Sequence, residues 1–170
     1  AASAEGDVLR VLVSLADQTW LRGDLEAAIR LARDALEQHR QSPFSGRVSR
    51  AYAQANLFGM LVEHGDLAEA QAMGRQLLPE LGELGIAHGW SDHYASCLAR
   101  CGSVESAVRL VGWADALRLA RGLRRQPNEE RARDATLALA RAGASAADLD
   151  RLLAEGAALR EEDAHRLARP

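Results

Sequence analysis

Three side chains near the middle of this 170-residue sequence have the types and spacing to do chemistry together: His93, Cys97 and Cys101. Placed at i, i+4 and i+8, they line up along one face of a helix. Imidazole and thiolate are zinc-type ligands, and His88 and Asp92 are close by in sequence. Adjacent turns of one helix do not by themselves complete a tetrahedral shell, and the chain has no Cys-x-x-Cys pair. A packed stripe beside the start of a helix is the simpler expectation, so no metal and no cofactor is expected. Two cysteines that both stay helical also cannot readily form a disulfide with each other. A second group, Arg118, Arg121, Arg124 and Arg125, gathers positive charge at a helix end. Nucleic-acid recognition needs such a patch together with an element that reads bases. Arginines there also simply complement the helix dipole, so no direct nucleic-acid contact is expected. A phosphate-binding G-x-x-x-x-G-K-[ST] loop is excluded because all 21 basic residues are Arg. Neither a nucleophile elbow nor a metalloprotease helix motif is present, and the chain is not expected to be an enzyme.

The elements that must carry these residues follow from composition and periodicity. A chain of this length suits one compact domain. Apolar residues make up 48% of it but aromatics only 4%, so its core has to be built from Ala and Leu, which favours closely stacked helices over sheets. The net charge of −3 creates no strong field for nucleic acid or an anionic membrane. No run of about 18 apolar residues exists to span a bilayer. The start lacks a signal-peptide pattern and there are only two cysteines, so a cytoplasmic location is expected.

Apolar residues recur every three or four positions almost throughout. The breaks predict nine helices: about 4–21, 24–40, 42–63, from 66 on, 91–101, 103–121, from 127 on, from 145 on, and 160–168. Asp24, Ser42, Ser91, Ser103 and Ser145 are the expected N-caps, with Pro43 and Pro127 opening helices and residues 85–89 forming a loop. Pro79 is expected to kink the fourth helix or end it early. Trp90 is placed to staple the start of the fifth helix.

Three of the breaks are copies of one pattern. Gly23-Asp24-Leu25-Glu26-Ala27-Ala28, Gly65-Asp66-Leu67-Ala68-Glu69-Ala70 and Gly102-Ser103-Val104-Glu105-Ser106-Ala107 each lead into a periodic helix. The copies are 42 and 37 residues apart, and repeats in this range signal stacked helix pairs, each of which needs its neighbour to bury its apolar face. These residues resemble the tetratricopeptide family. Ala28, Ala70 and Ala107 match its first small crossing position; Ala35 and Ala114 match the second, where Leu77 departs from it. Leu12, Leu15 and Thr19, then Leu57, Phe58 and Leu61, then Tyr94, Ala95 and Leu98 fall on the family's first-helix packing positions. The resemblance implies an all-α fold, an α-α superhelix of three helix pairs over residues 1–122. Capping helices over 123–170 complete the same compact domain.

The resemblance also implies a binding face. The first helix of each pair lines a concave groove in this family, and the matching positions are Arg10, Ser14, Asp17 and Trp20, then Tyr52 and Asn56, then His93, Ser96 and Arg100. Asn56 sits where peptide-binding members often hold a backbone. The C-terminal third resembles something narrower. Ser106 to Arg118, with Gly112 inside it, is similar to the "A-x-L-x-G-x-A-x-A-L-R" helix of large bacterial ATP-binding transcription regulators. Pro127, Glu130-Arg131, Ala154-Glu155-Gly156 and Glu161-Glu162-Asp163-Ala164 follow in that family's order. Trp113 replaces a usually small residue, and Arg160 stands in place of a Ser or Thr cap. The implied function is a regulatory, signal-receiving interaction region of such a regulator, a fragment whose partner is a protein or peptide, including the missing ATPase domain, or a second copy in a homodimer. A free-standing adaptor or dimerisation module and a small-molecule sensor stay open beside it.

Overall fold

The structure, a computed structural model, describes residues 2–41 and 46–169, with side chains from Arg10 onward. Nine α-helices form among them: α1 (Ala2–Leu21), α2 (Leu25–Gln41), α3 (Arg47–His64), α4 (Leu67–Glu83), α5 (Ser91–Arg100), α6 (Val104–Arg121), α7 (Pro127–Arg141), α8 (Ala146–Ala157) and α9 (Glu161–Leu167). A short 3-10 turn, Ala87–Trp90, precedes α5. No strand is present among the described residues, so the chain is all-helical. No helix there is long and apolar enough to cross a membrane.

The repeated breaks have a common physical form. Gly23, Gly65 and Gly102 take left-handed backbone, with φ of 89°, 103° and 91°. In each, the next residue donates its N–H to a carbonyl five positions back: Asp24 to Thr19, Asp66 to Leu61 and Ser103 to Leu98. This closure satisfies the last carbonyls of the helix, and Gly accepts the backbone angle without a Cβ penalty. The starts are less uniform. Asp24 accepts from the Ala27 N–H, and Ser145 from that of Asp148, as their types predict. Ser103 makes no side-chain cap. Ser91 is already helical because the 3-10 turn runs straight into α5, and its hydroxyl donates back to the His88 carbonyl. The turn also occupies much of the loop expected at 85–89. Pro127 opens α7 as expected, and Gln126 before it caps the helix, donating its N–H to the Glu129 carboxylate. The Ser42–Pro43 start lies outside the described residues. Pro79 does not end α4, which runs on to Glu83.

The chain divides into two compact units, residues 1–66 and 67–170. This boundary falls inside the second expected helix pair, not at 122. The helices expected over 123–170 as a cap within the same compact domain pack on α5 and α6, inside the second unit. In the first unit α1 packs on α2 and α2 on α3, with Ala16, Ala28, Ala32, Ala35, Ala51 and Phe58 buried. The crossing alanines Ala70, Ala107 and Ala114 of the second unit are buried too, as is Leu77. Leu15 departs from its expected packing role and is half exposed.

In the second unit α6 is the central element, packed by α5, α7, α8 and α9. Its contact with α8 is backbone to backbone. A Cβ on Gly112 would overlap the Leu153 carbonyl group, and one on Gly156 would overlap that of Arg109. Glycines at both points let the two helices approach until main chain meets main chain. Arg109, bonded to Glu155 at 2.8 Å and Glu105 at 3.2 Å, braces the crossing. One turn on, the buried Trp113 meets the His165 ring of α9 edge-on at 6.0 Å.

Neither glycine at the crossing tolerates a methyl group, since the clashing atoms are main-chain atoms that cannot rotate away. Gly112→Ala and Gly156→Ala are each expected to cost about 3 kcal/mol in urea unfolding followed by circular dichroism. Gly143→Ala, whose added Cβ meets nothing, should stay within about 0.5 kcal/mol of the parent.

Candidate functional site

The stripe on α5 is interior. Every residue from Ser91 to Ala99 is buried, because α6 and α7 both pack on this ten-residue helix. His93 and Cys97 are enclosed, while Cys101 is exposed beyond the helix end. Burial pushes the Cys97 thiol up to about 12, with the neighbouring Cys101 adding to the shift. Burial also pulls His93 down to about 3, helped by the charges of Arg131 and Arg118. A thiol held protonated is a poor nucleophile and a poor ligand. No three His, Cys, Asp or Glu side chains converge as a metal site among the described residues.

The residue that organises this region is Asp92, noted in the sequence only as a neighbour of the stripe. It is fully buried in the first turn of α5. Arg125 grips it with two bonds of 3.0 Å, and Arg118 donates at 3.2 Å. Arg118 also reaches Glu129 at 3.2 Å, and Arg125 reaches Asp115 at 2.6 Å. Arg133 completes the cluster with bonds of 3.0 and 2.8 Å to Asp115. Three carboxylates and three guanidiniums thus neutralise one another around the α6–α7 link. Burial pushes the Asp115 carboxyl up, but Arg133 and Arg125 outweigh it and hold the group below its ordinary value. Half of the basic run read from the sequence is therefore spent inside the protein.

The positions expected along a groove separate into two kinds. Trp20 is only 1% exposed, and its indole N–H donates to Glu63 of α3 at 2.7 Å, so it joins α1 to α3 and lines no open surface. His93 and Ser96 are likewise interior, on a helix covered from two sides. Arg10, Ser14, Tyr52 and Arg100 are exposed, and Asp17 and Asn56 are partly so. The exposed apolar residues of the first unit include Tyr52, which the repeat register placed on the groove, Leu15, which it assigned to packing, and Val11 and Val48, which it did not single out. Val11 is 60%, Leu15 48%, Val48 49% and Tyr52 43% exposed. Val11 and Leu15 share one face of α1 at i, i+4, as Val48 and Tyr52 do on α3. The signal available for Val11 and Leu15 was their place next to Arg10 and Ser14, but a register that assigned Leu15 to packing concealed it. Two clefts accompany these surfaces. One, of about 580 Å³, lies between α2 and α3 and is lined by Arg33, His39, Arg40, Arg50 and Gln54. The other, of about 450 Å³, lies among α6, α7 and α8.

Removing the central carboxylate takes from the buried Arg118 and the partly buried Arg125 the one carboxylate they share, leaving each with a single carboxylate partner. Asp92→Ala is expected to lose about 3–5 kcal/mol in chemical denaturation, far more than removal of an exposed pair such as Glu37 with Arg40. His93 gives the protein a pH dependence with a definite sign. The unfolded chain takes up a proton near the ordinary value of 6.5 that the folded chain refuses until about 3. Stability is full above about pH 6.5 and falls by up to about 1.4 kcal/mol per unit as pH drops below it. His93→Gln should flatten the pH profile of the unfolding midpoint between pH 6 and about 4; an unchanged profile would assign the dependence to other groups.

Comparison with known proteins finds no family model, curated protein or solved structure that matches this chain.

Proposed function

We propose that this chain is a protein-interaction module, the signal-receiving helical repeat region of a bacterial transcription regulator, working in the cytoplasm by binding rather than by catalysis. The observation that carries the interaction role is the pair of exposed apolar rows Val11–Leu15 on α1 and Val48–Tyr52 on α3. Large apolar side chains side by side in solvent are unfavourable unless a partner covers them. α1 and α3 meet near their C-terminal ends through Trp20 and Glu63, so the helices that carry the two rows pack together in one unit. In a tetratricopeptide-like superhelix these are the first helices of their pairs, the ones that face a ligand. Arg10, Ser14 and Asn56 border the rows, and a mixture of apolar anchors and polar groups suits a peptide or protein surface.

The regulator assignment rests on the C-terminal resemblance. The glycines at its two motif positions, Gly112 and Gly156, meet in the α6–α8 crossing, which supplies a physical reason for both. Binding in place of chemistry fits the α5 stripe, whose imidazole and buried thiol are both shifted away from proton transfer at neutral pH.

Leu15→Asp and Tyr52→Ala, both at exposed positions, test the reading. A nucleotide-binding signalling domain should be encoded in the same reading frame, and the isolated domain should bind this chain in calorimetric titration. Each substitution should weaken that binding at least tenfold while leaving the unfolding midpoint in place. Absence of such a domain would sink the regulator assignment, and binding indifferent to both substitutions would sink the α1–α3 face.

A further inference from the structure

The two ends of α6 carry complementary surfaces. At its C-terminal end Gly122 takes left-handed backbone with φ of 63° and donates to the Leu119 carbonyl, and Leu123 donates to that of Arg118. In this kind of helix end the residue after the glycine commonly folds an apolar side chain back onto the residue whose carbonyl it bonds. Here that residue is Arg118, turned away onto Asp92 and Glu129. Leu123 is left 43% exposed, and Leu119, in the last turn, is 85% exposed. Arg121 and Arg124 stand in solvent beside them. The corner is held on both sides, because Arg118 and Arg125 fasten to the same buried carboxylate and Arg118 also donates to the Arg124 carbonyl. An apolar, basic projection is therefore displayed on a braced turn, which lowers the entropy lost when it docks.

At the N-terminal end of α6 the 450 Å³ cleft opens between the start of that helix, the end of α7 and the start of α8. Val104, Val108, Leu139 and Leu152 give it an apolar floor and lip, and Glu105 and Asp148 give it an acidic rim. Each rim acid also has an arginine partner: Glu105 pairs with Arg109, which Glu155 shares, and Asp148 pairs with Arg151, which Glu155 shares too. Because α6 has 18 residues, roughly 27 Å of rigid helix separates the corner from the cleft. The two cannot meet within one chain.

We propose that the corner of one copy seats in the cleft of a second copy. Leu119 and Leu123 enter against Val104, Val108, Leu139 and Leu152, and Arg121 and Arg124 face Glu105 and Asp148. The contact is head-to-tail: each copy keeps a free corner and a free cleft, so association continues beyond the dimer unless a ring closes. It uses none of the α1–α3 face and stands whether or not that face binds a partner.

Light scattering coupled to size exclusion tests the proposal on the whole chain. The mass should rise with concentration past the dimer, and added salt should weaken the association several-fold, since opposite charges meet at the rim. Leu119→Asp removes the corner and Leu139→Asp the cleft; both positions are exposed, and circular dichroism checks that the fold is kept. Each variant alone should lose self-association at least tenfold. Mixed in equal amounts they should form a 1:1 pair that does not grow, since one intact corner and one intact cleft remain between them. A parent chain that stays monomeric at all concentrations overturns the proposal. So does a mixture that fails to pair, or association that survives both substitutions.

Discussion

A carboxylate without water has to be neutralised by charges brought to it, and Asp92 imposes that demand on the second unit. Left alone in an apolar interior it would cost more than most small domains have to spare. Its place in the first turn of α5 lends some positive dipole, but the main compensation is two guanidiniums from 26 and 33 residues further on. Much of the local architecture follows. The α6–α7 link has to return to α5, Glu129 brings the start of α7 alongside, and Asp115 with Arg133 links the two helices. Burial keeps the His93 ring neutral, and the charges of Arg131 and of Arg118, one of the two guanidiniums on Asp92, add to it. A group of this kind contributes little net stability compared with an apolar replacement, yet it is intolerant of partial loss, so it acts more as a specification of one arrangement than as a source of binding energy.

The α6–α8 crossing works by the opposite means. It has no charged partner at its centre and depends on the absence of side chains, so that two main chains approach directly and dispersion contacts accumulate over a short distance. Charges are confined to its flanks, where Arg109 and Arg151 share Glu155. Trp113 extends the packing toward α9, a seven-residue helix too short to be stable alone and in need of such an anchor.

Local features of this fold were legible in the sequence and long-range ones were not. Helix ends are written in a few adjacent residues: glycine followed by Asp or Ser set three breaks, and Ser145 with Asp148 marked a start. The alanines at 28, 70 and 107, singled out through the tetratricopeptide resemblance, are buried. Ser91 misled because a preceding 3-10 turn, invisible to periodicity, moved the helix start upstream. The groove was only partly legible. Its polar members at 10, 14 and 52 are exposed, but Trp20, His93 and Ser96 were assigned by repeat register, which assumes that every first helix keeps a free face; α5 keeps none. Asp92 was undervalued for a related reason. Nothing near it in sequence reveals that one arginine in the last turn of the next helix and another just past its end will reach it.

The backbone contact between α6 and α8 also bears on the order of events at the ribosome. Arg109 and Glu155 are 46 residues apart, and α6 has no close cover on that side until α8 has emerged and docked. During synthesis the strip of α6 around Gly112 therefore stands open while α7 and α8 are still being made, and consolidation of the second unit waits until α8 has emerged. A premature stop anywhere within α8 would leave that strip bare, so truncated products should be prime clients for chaperones and proteases.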